Sequence, residues 1–425
     1  MIRYRRLLSV GLVTMCMAAA LTQVRTASAI PAWSRMYGTS CDACHIAGFK
    51  LNRAGQNFLR SGHSMRTGEE KAELGNHLSV AQKLRYNYSK GKNDDGSGKK
   101  VTNSFEQHAL SLYMGGALQK QWSYFAELYW HENSGNTAGA SDLNDFGRSK
   151  LADAYIQYFV RQDEERYTSF RFGQFAPYLL HLHGVGARLS GDRAYVINSG
   201  SVGSNPYKPF TRQYGFEASH YYKGLNVAAA IMNGTGGKLF NRVDNDLKKD
   251  GYATVDYSFD DRGSMLGVYG YLGHYPLSVD DPVKFASGSY DNFNQIGVLG
   301  NYTRKEGALV GAFFAGKNKY VLRKDFAAPV DTTDLTVEPK SMGYYAELQI
   351  YGIHPRIQPF VRWDFWDPDT DVNDNEVLGP EVGVSCHAMD NGRIVTHFQQ
   401  LKTKNSIKAH EFTENKVVVE VNFMF

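Results

Sequence analysis

The chain of 425 residues is rich in Tyr (27), Phe (24) and Gly (42) and has only 12 Pro. Its formal net charge is +4, and because residues 1–29 contribute four Arg and no acidic residue, the remainder is neutral and has no basic excess for binding nucleic acid. The mean hydropathy of −0.42 is too low for transmembrane helices, but it is typical of membrane β-barrels, in which alternate residues face lipid and water.

Residues 1–29 are predicted to be a cleavable secretory signal. An Arg-rich start precedes an apolar run over residues 7–21, and Ala27-Ser28-Ala29 supplies the small-x-small cleavage site. The apolar run is too short to cross a bilayer. We therefore expect an exported protein whose mature chain begins at Ile30, and for a barrel this means the outer membrane of a Gram-negative bacterium.

The sequence Cys41-Asp42-Ala43-Cys44-His45 has the C-x-x-C-H form used for covalent haem attachment. The two thiols add to the haem vinyl groups, and the adjacent His coordinates the iron. A thioredoxin-like pair would lie in a βαβ pattern, and a zinc site would need a second thiol pair; the sequence has neither. Cys386 has no partner once Cys41 and Cys44 are used, which excludes a disulfide framework. We predict one covalently attached haem c.

Residues 30–77 lie between the signal and the first predicted strand. This segment is too short to bury a porphyrin alone, so we expect a short, partly helical c-type haem plug that uses the barrel lumen as its remaining wall. The residues alone leave the sixth iron ligand open. The candidates are His63, Met65, Met36 and His77, a His of one of the loops, or an open site.

Residues 78–425 are predicted to form an all-β, antiparallel transmembrane barrel of about 16 strands. The pattern is clearest in the segment where Val417, Val419 and Val421 alternate with Glu420 and Asn422, which gives one lipid face and one lumen face. The predicted strands are 78–89, 104–118, 121–131, 150–161, 167–176, 212–222, 225–234, 251–259, 263–275, 291–304, 306–317, 341–352, 356–367, 378–390, 392–403 and 414–425.

The connections between these strands alternate in length, as in barrels with short periplasmic turns and longer outer loops. The longest, 177–211, follows the fifth strand, where general porins place a loop that folds into the lumen. Cationic side chains in and beside it are expected to line a constriction, unless the loop is simply solvated. These are Arg188, Arg193, Lys208 and Arg212, with His181 and His183 nearby.

A second outer loop, 367–376, is strongly acidic. Its carboxylates at alternate positions suit a weakly held Ca²⁺, Mn²⁺ or Fe²⁺. The loop is no EF-hand, because its twelfth position is Leu378 and its central Gly is missing. A solvated acidic loop is the favoured interpretation.

The segment around the haem motif resembles the monohaem cytochrome c–porin fusions of the bacterial outer membrane, the iron-oxidising outer-membrane cytochrome type. Before the motif the resemblance lies in Ile30-Pro31-Ala32-Trp33-Ser34-Arg35, Gly38 and Ser40, and after it in Leu51, Gly55, Phe58 and Gly62. Two positions depart from the family pattern. Phe49 stands where Pro is expected, and His63 stands where the family often has an aromatic residue.

The resemblance implies electron transfer across the outer membrane. Electrons would come from extracellular Fe(II) and pass to a periplasmic c-type cytochrome. This transfer corresponds to Fe(II):cytochrome c oxidoreductase activity. No catalytic residue is assigned to it. The resemblance also favours His63 as the sixth ligand, with Met65 as the alternative. This choice matters because a Met/His pair raises the haem potential relative to His/His.

The sequence leaves two other functions open. Electrons would flow outward to an extracellular acceptor if the haem potential were low. Alternatively, the chain would be a solute-selective porin whose haem plug only gates or assembles it. Because a single haem does not bridge about 25–30 Å of hydrocarbon, either direction of transfer requires a partner that enters the lumen or approaches its mouth.

Overall fold

A computed structural model describes most of the chain after residue 30. The described residues are 31–46, 50–65, 74–119, 121–132, 150–163, 165–183, 188–234, 248–277, 288–322, 335–389 and 391–425. The predicted signal, 1–29, lies outside them, as do Ile30 and Phe49. None of the helices in this described part is long and apolar enough to cross a membrane.

Sixteen antiparallel strands form a closed barrel in chain order, and β16 pairs with β1 to close it. The predicted fold class is therefore confirmed. The strands are β1 Leu78–Asn93, β2 Lys100–Gln119, β3 Trp122–Glu132, β4 Lys150–Gln162, β5 Arg166–Phe175, β6 Gln213–Tyr222, β7 Leu225–Met232, β8 Asp250–Ser258, β9 Met265–Pro276, β10 Tyr290–Thr303, β11 Gly307–Asn318, β12 Lys340–Ile350, β13 Ile357–Asp367, β14 Val377–Met389, β15 Gly392–Thr403 and β16 Phe412–Met424.

The period-two alternation sorts side chains between lumen and exterior as predicted. In β13, Val361 and Trp363 are 43% and 41% exposed, whereas Arg362 and Asp364 are buried. The lumen face is thus polar, and its charges form hydrogen-bonded pairs, such as Arg362 Nε to Asp364 Oδ2 at 2.8 Å. An inward polar face and an outward apolar face are what a strand between lipid and lumen requires.

The main difference from the prediction is the length of the first hairpin. The pairing of β1 with β2 continues to Gly91 and Lys100, beyond the predicted ends at 89 and 104. The ends of both strands there are rich in Gly and Lys, a composition typical of loops. The backbone N–H and C=O groups of the two strands nevertheless continue to hydrogen-bond to each other.

The connections fall into two classes, and each class lies at one end of the barrel. Turns such as 223–224, 259–264 and 304–306 define the short-turn end, and the longer connections define the long-loop end. The described residues of 31–77, here called the plug, lead into β1 at the short-turn end. Its helices are α1 Pro31–Tyr37, α2 Arg53–Arg60 and α3 Leu74–His77.

The plug is anchored to the inner wall near the short turns. Ala32 N donates to Ser79 Oγ at 2.9 Å, and Gln56 Nε2 donates to the carbonyl of Gly263 at 2.7 Å. In addition, the Arg60 guanidinium forms a buried ion pair with Asp256 of β8. These contacts reach separate parts of the wall, so they fix the plug's position across the lumen.

The residues of 176–212 that the structure describes, here called the inward loop, run inside the barrel as expected. They include the short helices α4 Tyr178–His181 and α5 Tyr195–Asn198. Asp192 accepts a bond from Arg85 of β1 at 3.0 Å, and Tyr195 N donates to Asp364 of β13 at 2.8 Å. Because these anchors lie on distant strands, the loop is held across the lumen.

Candidate functional site

A cavity lies where the plug, the inward loop and the wall meet. It contains about 1220 Å³ of empty space, part of which is open to solvent. Its lining includes Trp33, Tyr37, Cys41, Cys44, His45, Phe58, His63 and Met65 from the plug, Lys83, Tyr113, Phe125, Glu127, Tyr129 and Met424 from the wall, and His181, Arg188, Arg193 and Arg212 from the inward loop.

The C-x-x-C-H motif is held in a compact local structure. Residues Cys41–Ala43 form a single 3₁₀ turn, and His45 pairs with Leu51 in a short antiparallel strand pair. Asn52 then fixes the motif, because its backbone N–H donates to the carbonyl of Cys44 at 3.0 Å and its side chain donates to that of Ala43 at 2.9 Å. Burial, and secondarily Cys41, raises the pKa of the Cys44 thiol.

Gly55 allows helix α2 to approach this motif. A Cβ at Gly55 would lie 2.3 Å from the carbonyl oxygen of Cys44, a separation that no side chain tolerates. The helix begins just before it, where the Asn52 side chain accepts from Gly55 N at 2.9 Å. A glycine at this position is therefore required by packing, whatever the cavity binds.

His63 is buried and lies against two aromatic rings. Its ring centroid is 4.3 Å from that of Trp33 and 4.2 Å from that of Phe125. Its Nδ1 has no hydrogen-bond partner among the described residues. Burial lowers the pKa of His63 well below its usual value, with smaller effects from His181 and Arg171. The imidazole is therefore neutral, which is the form that coordinates metals.

The structure separates the four side chains considered for the sixth ligand. His63 and Met65 line the same cavity as His45, and Met36 and His77 do not. Met36 lies beside Gly116, and Nδ1 of His77 is 3.3 Å from the hydroxyl of Tyr124. The residues predicted to attach and ligate haem, Cys41, Cys44, His45 and His63, thus share one cavity with Met65.

Cationic side chains line another part of the cavity. Arg212 is paired with Asp153 at 2.6 Å and with Glu127 at 3.0 Å. Burial and the neighbouring cations Arg193 and Arg393 lower the pKa of Arg188 to about 9. Lys83 was not predicted, although the alternation of β1 from Ala81 to Arg85 places it on the lumen face.

Lys208 was predicted to line a constriction and His183 to lie near it. Neither lines this cavity. The backbone N–H of Lys208 donates to Thr211 Oγ1 at 3.2 Å in a local turn, and Nδ1 of His183 is 3.3 Å from the Tyr345 hydroxyl. Lys208 and His183 belong to the same loop as the arginines that line the cavity. The position of a residue in this loop was not enough to predict whether its side chain lines the cavity.

The acidic loop 367–376 shows local pairing. Asp371 is 3.1 Å from Lys340, and Glu376 is 3.3 Å from Lys404. The described residues contain no group of three or more His, Cys, Asp or Glu side chains placed to hold a metal ion. These contacts favour the solvated-loop interpretation. A haem iron takes only axial ligands from the protein, so the haem prediction does not require such a group.

No protein-family model matches the chain, and no curated protein matches it in sequence. Solved barrels match it in structure. The outer-membrane channel DcaP of Acinetobacter baumannii superposes with a TM-score of 0.56 at 10% identity, over 82% of this chain and 97% of that chain. The chain has a porin-type barrel fold.

Two further barrels support the same conclusion. The anion-selective porin from Comamonas acidovorans gives a TM-score of 0.54 at 12% identity, over 82% of this chain and 99% of that chain. OmpF of Salmonella typhi, solved with daunomycin, gives 0.53 at 10% identity, over 82% and 97%. At such identities the likeness concerns the fold alone. It shows neither a cytochrome fusion nor haem binding.

Proposed function

We propose that the chain is an outer-membrane electron-transfer protein that carries one haem c inside a porin-type barrel. The observation that carries this proposal is the convergence of Cys41, Cys44, His45 and His63 on one cavity within the lumen. The barrel would span the outer membrane of a Gram-negative bacterium, with its short-turn end in the periplasm. The predicted signal at 1–29 would direct its export.

The cavity fits the group that the motif implies. Cys41 and Cys44 would attach the haem, His45 would ligate the iron, and His63, or alternatively Met65, would be the second axial ligand. The unpartnered Nδ1 of His63 and the aromatic lining support this assignment. Bound haem c would supply a one-electron redox centre. The surrounding rings limit the access of water to it, and exclusion of water is one determinant of haem potential.

The exposed edge of the motif supports a periplasmic partner. Asp42 and Ala43 are exposed, and the next plug helix contacts a short turn through the bond from Arg53 N to the carbonyl of Asp261 at 3.2 Å. A periplasmic c-type cytochrome would thus meet the motif from the short-turn end. The donor on the other side would be extracellular Fe(II). Outward transfer to an extracellular acceptor would use the same site at a lower haem potential.

A second candidate function is that of a solute-selective porin, with the plug as a structural or gating element. The fold comparisons favour this function over the first, because the three structures named above are outer-membrane channels or porins and one of them is anion-selective. The cationic lining of the cavity is also consistent with passage of anions. Haem-mediated transfer is supported by the motif and the cavity rather than by the fold.

The deciding experiment starts with the protein produced together with cytochrome c maturation machinery and purified in detergent. Covalent haem is measured by intact mass, the midpoint potential by optical titration, and reduction by added Fe(II) in a stopped-flow instrument. A Cys41→Ala/Cys44→Ala variant is the control. Covalent haem with prompt reduction by Fe(II) supports the first function. Absence of covalent haem, together with steady conductance in planar bilayers, overturns it in favour of the porin.

A further inference from the structure

We infer that Lys83, Arg188 and Arg193 form a carboxylate-binding cluster that receives the haem propionates and thereby positions the haem in the lumen. This inference rests on the proposed function, since it assigns residues to the same site. It gives the cationic part of the cavity a role in electron transfer that does not involve passing solutes.

The arrangement of the cavity walls supports this role. In haem, the propionates project from an edge away from the vinyl groups that bond to cysteine. Cys41 and Cys44 come from the plug, whereas Lys83 comes from β1 and the two arginines come from the inward loop. The cations thus belong to walls of the cavity other than the one that carries the attachment site.

The charges in this cluster are incompletely compensated. Within the described part of the chain, Arg212 has two carboxylate partners, but neither Lys83 nor Arg193 forms an ion pair. The Nε of Arg193 is buried without a hydrogen-bond acceptor among these residues. Its Nη1 reaches only Asn198 Oδ1, at 3.4 Å. A buried guanidinium N–H without an acceptor is costly, and a carboxylate oxygen would supply that acceptor.

The backbone that carries the arginines is held in place. Asp192, between them in sequence, accepts bonds from Arg85 at 3.0 Å and Lys416 at 2.7 Å. Arg362 Nη1 donates to the carbonyl of Asp192 at 3.1 Å. Because three strands hold this one residue, Arg188 and Arg193 need little reorganisation to bind an anion, which is the condition for a preorganised site.

The cluster has a consequence for the donor. Without bound propionates, the positive charges of the cluster would repel Fe²⁺ from the lumen. Propionates would neutralise them, so the loaded cavity would oppose the approach of a cation less than the empty one. The residual positive charge would still favour the reduced haem, and thus raise its potential.

The test compares haem-loaded wild type with Arg193→Gln, Arg188→Gln and Lys83→Gln. Lys208→Gln is the matched control, since it removes a cation from the same loop outside the cavity. The readouts are the midpoint potential and the propionate bending bands in resonance Raman spectra. Heat-modifiable migration on gels checks barrel folding. If an arginine variant fails to fold, Lys83→Gln tests the inference in its place, because Lys83 belongs to the barrel wall.

The expected result is a lower midpoint potential and shifted propionate bands in the three cavity variants, with Lys208→Gln equal to wild type. Unchanged potential and bands in folded variants overturn the inference while the haem function stands. If the cluster instead serves free anions, Arg193→Gln lowers anion selectivity in planar bilayers without altering the haem spectrum, which also overturns it. A wild type without covalent haem overturns the proposed function and this inference with it.

Discussion

The imidazole of His63 stacks on the indole of Trp33, with ring centroids 4.3 Å and planes 19° apart. It also stacks on Phe125 of β3, at 4.2 Å, and the ring centroids of Trp33 and Phe125 lie 6.2 Å apart. The ring therefore contacts one residue of the plug and one of the wall, and its position depends on docking of the plug. If His63 ligates iron, as proposed, this contact would couple the coordination of iron to the tertiary structure.

Replacing His63 with Met tests the axial assignment. If His63 ligates the iron, the His63→Met variant should have a higher midpoint potential, because a thioether stabilises the reduced iron relative to imidazole. Its optical spectrum should also gain the charge-transfer band of Met ligation. Met65→Leu is the matched variant, which we expect to leave both quantities unchanged. If instead Met65→Leu altered the spectrum and His63→Met did not, the second axial ligand would be assigned to Met65.

Gly62 of the plug packs closely against Ser123 of the wall. Its φ is +67°, and a Cβ there would lie 2.0 Å from Ser123 Oγ. We expect Gly62→Val to destabilise plug docking by about 1–3 kcal/mol from backbone strain alone, with steric repulsion in addition. Limited proteolysis of the plug in detergent measures this effect. Gly75→Ala is the control, because a Cβ there meets nothing within 4 Å; equal proteolysis of the two variants would contradict the argument.

The buried pair of Arg60 and Asp256 provides a second test of docking. Both side chains are at most 1% exposed, so Arg60→Met leaves a buried carboxylate without its cation, at a cost of about 3–5 kcal/mol. We expect faster proteolysis of the plug and a higher conductance in planar bilayers. Arg53→Met is the control, since Arg53 is 3.9 Å from a fully exposed Asp261 and such pairs contribute about 0–1 kcal/mol. Similar behaviour of the two variants would show that the buried pair does not hold the plug.

We expect Lys50 to make plug docking depend on pH. Burial lowers the pKa of Lys50 to about 7, against the weaker opposing effects of Glu347 and Asp260. The docked state is penalised while Lys50 is charged, so the penalty is fully present below about pH 7 and disappears as the pH rises towards the free value of 10.5. Docking should strengthen over this window by up to about 1.4 kcal/mol per pH unit.

The Lys50→Met variant should remove this dependence, as measured by proteolytic protection of the plug between about pH 7 and pH 10. Lys99→Met, which alters an exposed lysine at the long-loop end, should retain the wild-type slope. An unchanged slope in Lys50→Met would assign the pH dependence to another group.

The barrel was predictable from the sequence because its determinants are local. Alternation along each strand reports directly which face meets the lumen, as for Arg362 and Asp364, and the turn lengths give the order of the strands. The hairpin of β1 and β2 was underestimated because composition does not reveal where a ladder of backbone bonds continues.

The cavity was only partly predictable. The C-x-x-C-H motif is contiguous in the sequence, so Cys41, Cys44 and His45 could be proposed as haem-attachment residues from the sequence alone. By contrast, the stacking of Phe125 on His63 depends on contacts between elements that are distant in sequence. The same is true of the position of Lys208 outside the cavity. No periodicity encodes such contacts, and they emerge only when the plug and the inward loop are placed inside the same barrel.

The closure of the barrel between β1 and β16 has a consequence for how the molecule is made. This pairing joins the two strands farthest apart in the sequence, so it bears the largest entropic cost of loop closure. Helix α3 leads directly into β1, and closure therefore confines the plug. For the proposed haem, attachment to Cys41 and Cys44 would precede closure, and loading would then be a step of biogenesis. A chain that closed without haem would stay empty, and cells that lack the attachment machinery should accumulate a folded but redox-silent barrel.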